Sequence, residues 1–312
     1  MDWEDRIGRR LKLRDVNILL TVVQSGSMTK AAGLLSVSNP VVSKAIADLE
    51  HALGVRLLER SPQGVEPTVY GRALLDRGVA AFDELKQAVK HIEFLMDPTA
   101  GEVRIGASIA MSAGFIAAVT GRLSRSHPKI TFQVLSADSA TTYRALQERK
   151  VDLVIVHIFP PFAEDHMNAE ILFHEPHAVL AGASNPLTRR RKLELADLIE
   201  EPWTLPPPES LFGGMALEAF RSRGLDMPRT VVTASLPMRL AMLAAGRFVT
   251  MAPASIARLP RKNVALRALH IDLPTSIRPA AVITLKKRPL SPVAELFVKC
   301  AREVAKSLAN SL

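Results

Sequence analysis

Apolar positions recur at helical spacing through the first hundred residues and then give way to short alternating runs. Val16, Leu19, Leu20 and Val23 fall at i, i+3, i+4 and i+7 and predict a helix over 13–24. Ser25-Gly26 ends it, Ser27 caps the next helix, and Met28, Ala31, Ala32 and Leu35 repeat the spacing. The alanine pair lets two crossing helices approach closely. Ser36-Val37 makes a turn with Val37 as a buried plug, Ser38 caps a third helix, and Pro40 falls in its first turn, where a missing N–H is harmless. On that helix Val42, Ile46, Leu49 and Leu53 point inward, Asn39, Pro40, Ser43, Lys44 and Ala47 form the opposite stripe, and Gly54 ends it.

Two extended runs, 55–60 and 65–68, flank Ser61-Pro62-Gln63-Gly64 and predict a hairpin. Thr68 caps a long helix to about Met96. Along it Leu75, Gly78, Phe82, Leu85, Val89, Ile92 and Met96 alternate spacings of three and four, and Leu74, Ala81, Ala88 and Leu95 widen the stripe. Such a helix of about 29 residues spans roughly 43 Å. It is too long and one-sided to hide under the small domain before it, so the expected partner is the same helix of a second subunit, against packing on its own chain. Asp97–Gly101 then breaks the helix and predicts a hinge.

From Glu102 the period changes. Val103–Ala107 alternates and predicts a strand, followed by an apolar helix through Ile116 and Val119. Further strands are expected at Ile130–Leu135, Leu153–Val156, Val179–Ala181, Val231–Thr233, Phe248–Met251 and Ala281–Leu285, with helices at Ala140–Arg149, Met215–Arg223 and Leu236–Ala245. Strands alternating with helices imply parallel sheets.

The third helix carries the candidate chemistry. Its polar stripe is short-chained near the N-terminus, the end that meets base edges in a helix-turn-helix. Asn39 fits an adenine edge at two points, Lys44 reaches a guanine or a phosphate, Ser43 serves either, and Val41 touches a thymine methyl. An ordinary three-helix bundle with a polar surface is the rival reading. The hairpin weighs against it, because a hairpin directly after a recognition helix is a wing. Arg56 and Arg60 would then face phosphates, their other reading being surface pairs with Glu59 or Glu66.

Residues 13–72 resemble the DNA-binding region of a LysR-type transcriptional regulator. The alanine pair, Ser38, Pro40, Ser43, Leu49-Glu50, Leu53-Gly54, Leu57, Glu59-Arg60, Thr68 and Gly71 carry the resemblance. Asn39 and Leu58 depart from it, where the family usually has Gln and Phe. The resemblance implies an α+β and α/β protein: a winged helix-turn-helix over 1–67, a dimerisation linker helix over 68–97, and an effector-binding domain over 98–312. That last domain would have two α/β lobes like those of periplasmic binding proteins, lobe I over 101–180 and 279–312, lobe II over 181–278. It adds Ser27, Thr29 and Lys30 to the DNA-facing set, and it agrees with the dimer seam read from the spacing, Leu75, Phe82, Leu85, Val89 and Ile92. The implied partners are double-stranded promoter DNA, a small-molecule effector, further copies of the chain as a dimer or tetramer, and RNA polymerase. The stretches EPWTLPPPES and SLPMRLAMLAAGRFVTMAP resemble a subgroup tied to sugar or aromatic-compound metabolism.

In open α/β sheets ligands sit beyond the carboxyl ends of strands, near helix N-termini. That rule selects Ser108, Ser136 and His157 in lobe I, and Pro207 in the Pro206–Ser210 loop and Ser235 in lobe II, with Thr250 lining the cleft. Ser108 and Ser235 also read as plain N-caps, and His157 as a satisfied core histidine. Helix N-termini and an excess of arginine favour an anionic effector.

Charge changes one part of this picture. The chain of 312 residues has a net charge of +9, yet residues 1–67 carry nine Lys/Arg against eight Asp/Glu. Residues 98–312 carry twenty-seven against eighteen, so bulk charge does not mark the DNA-binding end. Arg6, Arg9, Arg10, Lys12 and Arg14 are a local cluster placed to meet the DNA backbone. Cys300 is the one cysteine, read as apolar filler, so neither a disulfide framework nor a metal cluster is expected. No nucleotide-, serine- or zinc-enzyme motif occurs, and no cofactor or catalysis is expected. No apolar run reaches about 18 residues and none reads as a signal peptide, so the expectation is a cytoplasmic protein without membrane contact, not a transport component.

Overall fold

The computed structural model describes residues 10–61, 64–158, 165–258, 265–273 and 277–309. The chain divides into two compact units, Met1–Val89 and Lys90–Leu312. Arg6, Arg9, Pro62 and Gln63 lie outside the described residues.

In the first unit α1 (Leu13–Ser25), α2 (Met28–Leu34) and α3 (Asn39–Leu53) enclose one apolar core. Ala31 and Ala32 are buried at the helix crossing, as the small-residue argument requires. Ser27 caps α2 by accepting from the Lys30 N–H. Ser38 precedes α3 but makes no side-chain cap. The buried face of α1 is turned from the expected one: Val16, Ile18, Leu19 and Val22 are buried, while Leu20 and Val23 only pack partly against the core. Apolar residues flank the stripe on both sides, so periodicity alone does not fix its rotation.

The wing is a hairpin of β1 (Leu58–Ser61) and β2 (Gly64–Pro67), antiparallel with Glu59 opposite Glu66. It starts later than expected, so Arg56 precedes the strand and only Arg60 lies on it. The reason is Glu50: its Oε1 accepts from the Leu57 and Leu58 N–H groups at 2.8 and 3.3 Å and fastens the chain to α3 before pairing begins. The Val65 N–H donates to the Gly26 carbonyl at 3.1 Å, which ties the hairpin to the α1–α2 turn.

The long helix α4 (Val69–Met96) opens where the Thr68 hydroxyl accepts from the Gly71 N–H at 3.0 Å and donates to the Arg56 carbonyl at 2.8 Å. A Cβ on Gly71 would overlap the Leu57 carbonyl oxygen, so only glycine lets α4 lie this close to the wing. Gly71→Ala is therefore expected to destabilise the first unit by about 1–3 kcal/mol through overpacking, readable as a lower urea midpoint; an unchanged midpoint would show that the backbones separate freely. Leu75 is buried and Phe82 partly packed in this unit's own core, so those two expected seam residues are engaged within the chain. Leu85, Val89 and Ile92 are 49, 54 and 58% exposed, and Leu95 and Met96 more so.

The second unit begins as Asp97, Pro98 and Thr99 turn the chain; β3 starts at Ala100, inside the expected hinge. After β3 (Ala100–Ser108) a short helix, Ile109–Met111, passes through a π-helical turn, Ser112–Ile116, into α5 (Ala117–Ser126). Next come β4 (Lys129–Ala137), α6 (Ser139–Gln147), β5 (Leu153–His157) and the 16-residue β6 (Met167–Gly182). Then follow β7 (Trp203–Leu205), α7 (Leu211–Arg221), β8 (Thr230–Val232), α8 (Leu236–Ala244) and β9 (Val249–Pro253). The chain finishes with α9 (Ser255–Arg258), β10 (Leu266–Ala268), β11 (Ile277–Leu285) and α10 (Pro292–Ala309).

The strands run in the order β4-β3-β5-β11-β6-β9-β7-β8, with β10 on β6. Parallel pairing holds for β4-β3-β5 and β9-β7-β8, as expected. β11 and β6 are antiparallel to their neighbours, so the sheets are mixed. β6 pairs β11 from Met167 to Pro176 and β9 from His177 to Ala181. The chain thus passes between lobes at Pro176-His177, a few residues ahead of the expected division at 180/181, and returns at Ile277. β7, β10 and the first half of β6 carry no alternating signal: β7 and β10 are three residues each, and the buried and exposed positions of Met167–Pro176 do not alternate cleanly.

Lobe I packs α5 and α10 on one face of its sheet around Phe115, Val119, Phe297 and Ala301, with α6 on the other face over Leu146 and Val154. Cys300 is buried in the first of these cores. Lobe II is built around Trp203, fully buried, its ring edge-on to Phe220 and its N–H donated to the Leu198 carbonyl at 2.7 Å.

Beneath lobe I lies a buried ion cluster. Asp152, 2% exposed at its side chain, accepts from Arg104 Nη2 at 2.8 Å, from the Arg104 N–H at 2.9 Å and from Arg288 Nη2 at 3.1 Å, with Lys90 Nζ at 3.5 Å. Arg288 is equally buried and also donates to the Val151 carbonyl at 2.7 Å.

Candidate DNA-reading helix and effector cavity

α3 presents two chemically opposite sides. Val42, Ala45, Ile46 and Leu49 are buried; Asn39, Pro40, Lys44 and Ala47 are exposed, with Val41 and Ser43 half-buried between them. The expected polar stripe is therefore contiguous at the start of the helix. α2 buttresses it: Asn39 Nδ2 donates to Thr29 Oγ1 at 3.3 Å, and the Ser43 hydroxyl donates to Met28 Sδ at 3.7 Å. Thr29 thus orients the Asn39 amide while leaving its oxygen and one N–H open, the pair that matches an adenine edge. Lys30, on α2, and Arg56 and Arg60, beside and on the wing, are exposed cations flanking this stripe in sequence. Ser27 is spent on its capping bond and Ser38 is exposed. Arg10, Lys12 and Arg14 are exposed at the start of the unit.

In the second unit a cavity of about 240 Å³ opens where the two lobes meet at the carboxyl ends of their strands. Three expected residues line it: Ser108 at the end of β3, His157 at the end of β5, and Pro207 before α7. Ser108 also caps the following turn by accepting from the Met111 N–H. Ser136 is exposed on an adjoining hollow with Ser112, Ala113 and Leu240. Two expectations are corrected. Ser235 caps α8 from an exposed position, and its neighbours Ala234 and Leu236 line the cavity instead. Thr250 is fully buried with its hydroxyl donated to the Thr204 carbonyl, so Met251 and Ala252 provide that wall.

The Pro206–Pro208 loop lies flat on α7 because of Gly213, where a Cβ would overlap the Pro207 carbonyl oxygen. His157 is tied down from behind: its Nε2 lies 2.7 Å from Glu175 Oε2, and Glu175 Oε1 accepts from the Ser255 N–H at 2.9 Å. Burial raises the Glu175 carboxyl, but hydrogen bonds from His157 and Ser255 hold it below the ordinary value. His157 Nδ1 is buried and has no hydrogen-bond partner among the described residues. The chain His157–Glu175–Ser255 runs from the last residue of β5 through β6 to the start of α9, crossing from lobe I to lobe II.

Arg239 was not among the expected residues. It lines the cavity from α8, 7% exposed. The signal was a charge at a helical core spacing, between Leu236, Leu240 and Leu243. Burial pulls its guanidinium down to about 10, so it remains charged at neutral pH.

Comparison with known proteins follows this division. The family model described as a bacterial regulatory helix-turn-helix protein of the lysR family matches residues 13–72, and that described as a LysR substrate binding domain matches 97–306. The HTH-type transcriptional regulator GbpR of Azospirillum brasilense is 29% identical over 94% of this chain and 86% of its own. The transcriptional dual regulator GltC of Bacillus subtilis is 25% identical over 92% of this chain and 95% of its own. A full-length OxyR variant of Pseudomonas aeruginosa superposes with a TM-score of 0.65 at 20% identity, covering 95% of both chains. Full-length CbnR complexed with its target DNA gives 0.53 at 22% identity, covering 95% of this chain and all of that one.

Proposed function

The chain belongs to the LysR family of bacterial transcriptional regulators, and from that premise we propose that α3 reads promoter DNA with Asn39, Ser43 and Lys44, while the cavity between the lobes takes the small molecule that sets the response. Members of this family regulate transcription by binding DNA and catalyse no reaction. The observation that carries the reading is the stripe at the start of α3: exposed, short-chained, polar, and oriented from α2 through Thr29. Val41 meets a thymine methyl beside it. Ser27, Thr29, Lys30, Ser38, Pro40, Arg56 and Arg60 surround the readers, the cations on phosphates.

The protein acts as a dimer or tetramer, since α4 leaves Leu85, Val89 and Ile92 open, and a two-fold assembly matches a DNA site with dyad symmetry. The effector, anionic by the charge of Arg239, shifts the balance between two lobe postures and so the posture of the reading helices. The change is read out through RNA polymerase at the same promoter, in the cytoplasm. No described helix is long and apolar enough to cross a membrane.

A gel shift on DNA upstream of the protein's own gene tests the reading. Asn39→Ala is expected to weaken specific binding by about 1–3 kcal/mol and leave the salt slope nearly unchanged. An equal loss on unrelated sequences would contradict base reading.

A further inference from the structure

The cavity wall is mostly apolar, and among its described residues the one buried guanidinium is unpaired. Arg239 is 7% exposed, and its Nε has no hydrogen-bond partner. Among the described residues no carboxylate pairs with it, and burial lowers its pKa to about 10. Asp138 also lines the cavity, but its two oxygens accept from the Thr141 N–H and hydroxyl at 2.9 and 2.8 Å, at the exposed start of α6. Glu175, behind the wall, is committed to His157 and Ser255.

A guanidinium taken out of water without a counter-ion is a standing desolvation penalty. A carboxylate relieves it with two parallel N–H···O bonds that match the guanidinium fork. Among the described residues the lining offers no second arginine or lysine for a dianion, and Asp138 opposes further negative charge. The rest of the wall, Ile109, Phe212, Met251 and Ile256 among it, suits an apolar body. We propose that the effector is an apolar monocarboxylate, its carboxylate clamped by Arg239 and its body packed between Ile109 and Phe212. This rests on the reading of the cavity as the effector site.

The test is calorimetric titration of the full-length protein with hydrocinnamate and hexanoate, their amides, phenylalanine and inorganic phosphate. The acids are expected to bind at least ten-fold more tightly than their amides, and Arg239→Gln to erase that difference. The proposal is overturned if neither acid binds, if acid and amide bind alike, if phenylalanine or phosphate binds more tightly than the acids, or if Arg239→Gln keeps the preference. Should Arg239→Gln fail to fold, the acid–amide comparison in the unaltered protein decides. A parallel gel shift separates the two claims: DNA binding without acid preference overturns this inference alone, and loss of DNA binding overturns the functional reading.

Discussion

Asp152→Ala is expected to destabilise the second unit by about 3–5 kcal/mol, the range for removing one partner of a buried ion pair. Arg288 is as buried as the carboxylate it meets, so the substitution removes a charged acceptor from a guanidinium held in the interior. Arg104 loses two side-chain bonds and its backbone N–H loses an acceptor. Equilibrium urea unfolding at neutral pH measures the effect, and a shift below about 1 kcal/mol would mean that water replaces the carboxylate freely. The sign with pH is fixed. Burial alone would raise the Asp152 carboxyl, but hydrogen bonds from Arg104 and the charges of Lys90 and Arg104 lower it in the folded state. Its contribution is therefore present above the ordinary aspartate value and is lost as pH falls through the lower folded one. Asp152→Asn removes that titration, so its stability should fall less steeply in acid than that of the unaltered protein.

Val89→Asp with Ile92→Asp is expected to leave monomers whose affinity for a dyad falls by roughly 10²–10⁴-fold, the gain that linking two binding events provides. Both side chains are more than half exposed in the single chain, so the charges need not damage its own core. Leu75 and Phe82 are poor choices for this test because they pack within the first unit. Sedimentation decides the matter: a double variant that sediments as the unaltered protein does would remove α4 as the dimer seam.

What was legible in the sequence is what depends on near neighbours. Ser27 and Gly26, the Ala31-Ala32 pair, the α3 stripe and the cap at Thr68 are all set within one or two helical turns. The effector cavity is different. Glu175 meets His157 across 18 positions and Ser255 across 80, and no local pattern marks either contact. Thr250 lies on a strand at the cavity yet gives its hydroxyl to Thr204, a choice made by which sheet neighbour lies within reach. Arg239 was visible as a charge on an apolar face, but its meaning appears only when the wall opposite is known. The β6 error has a similar source: one strand serves two sheets, and its first half lacks the alternation that a strand with one wet face displays.

The shared β6–β11 ladder constrains how the second unit can move. Pairing is continuous from Leu285 opposite Met167 to Ile277 opposite Pro176, interrupted only by a register shift at Ala280/Ala281, and beyond Pro176 the same strand belongs to lobe II. The ladder lies wholly in lobe I and its last pair, Ile277 opposite Pro176, sits at the crossing, so both connections between the lobes leave side by side. Any change in the angle between the lobes is therefore concentrated at that one doubled strand, which leaves the cavity rim farther from the bend than its floor.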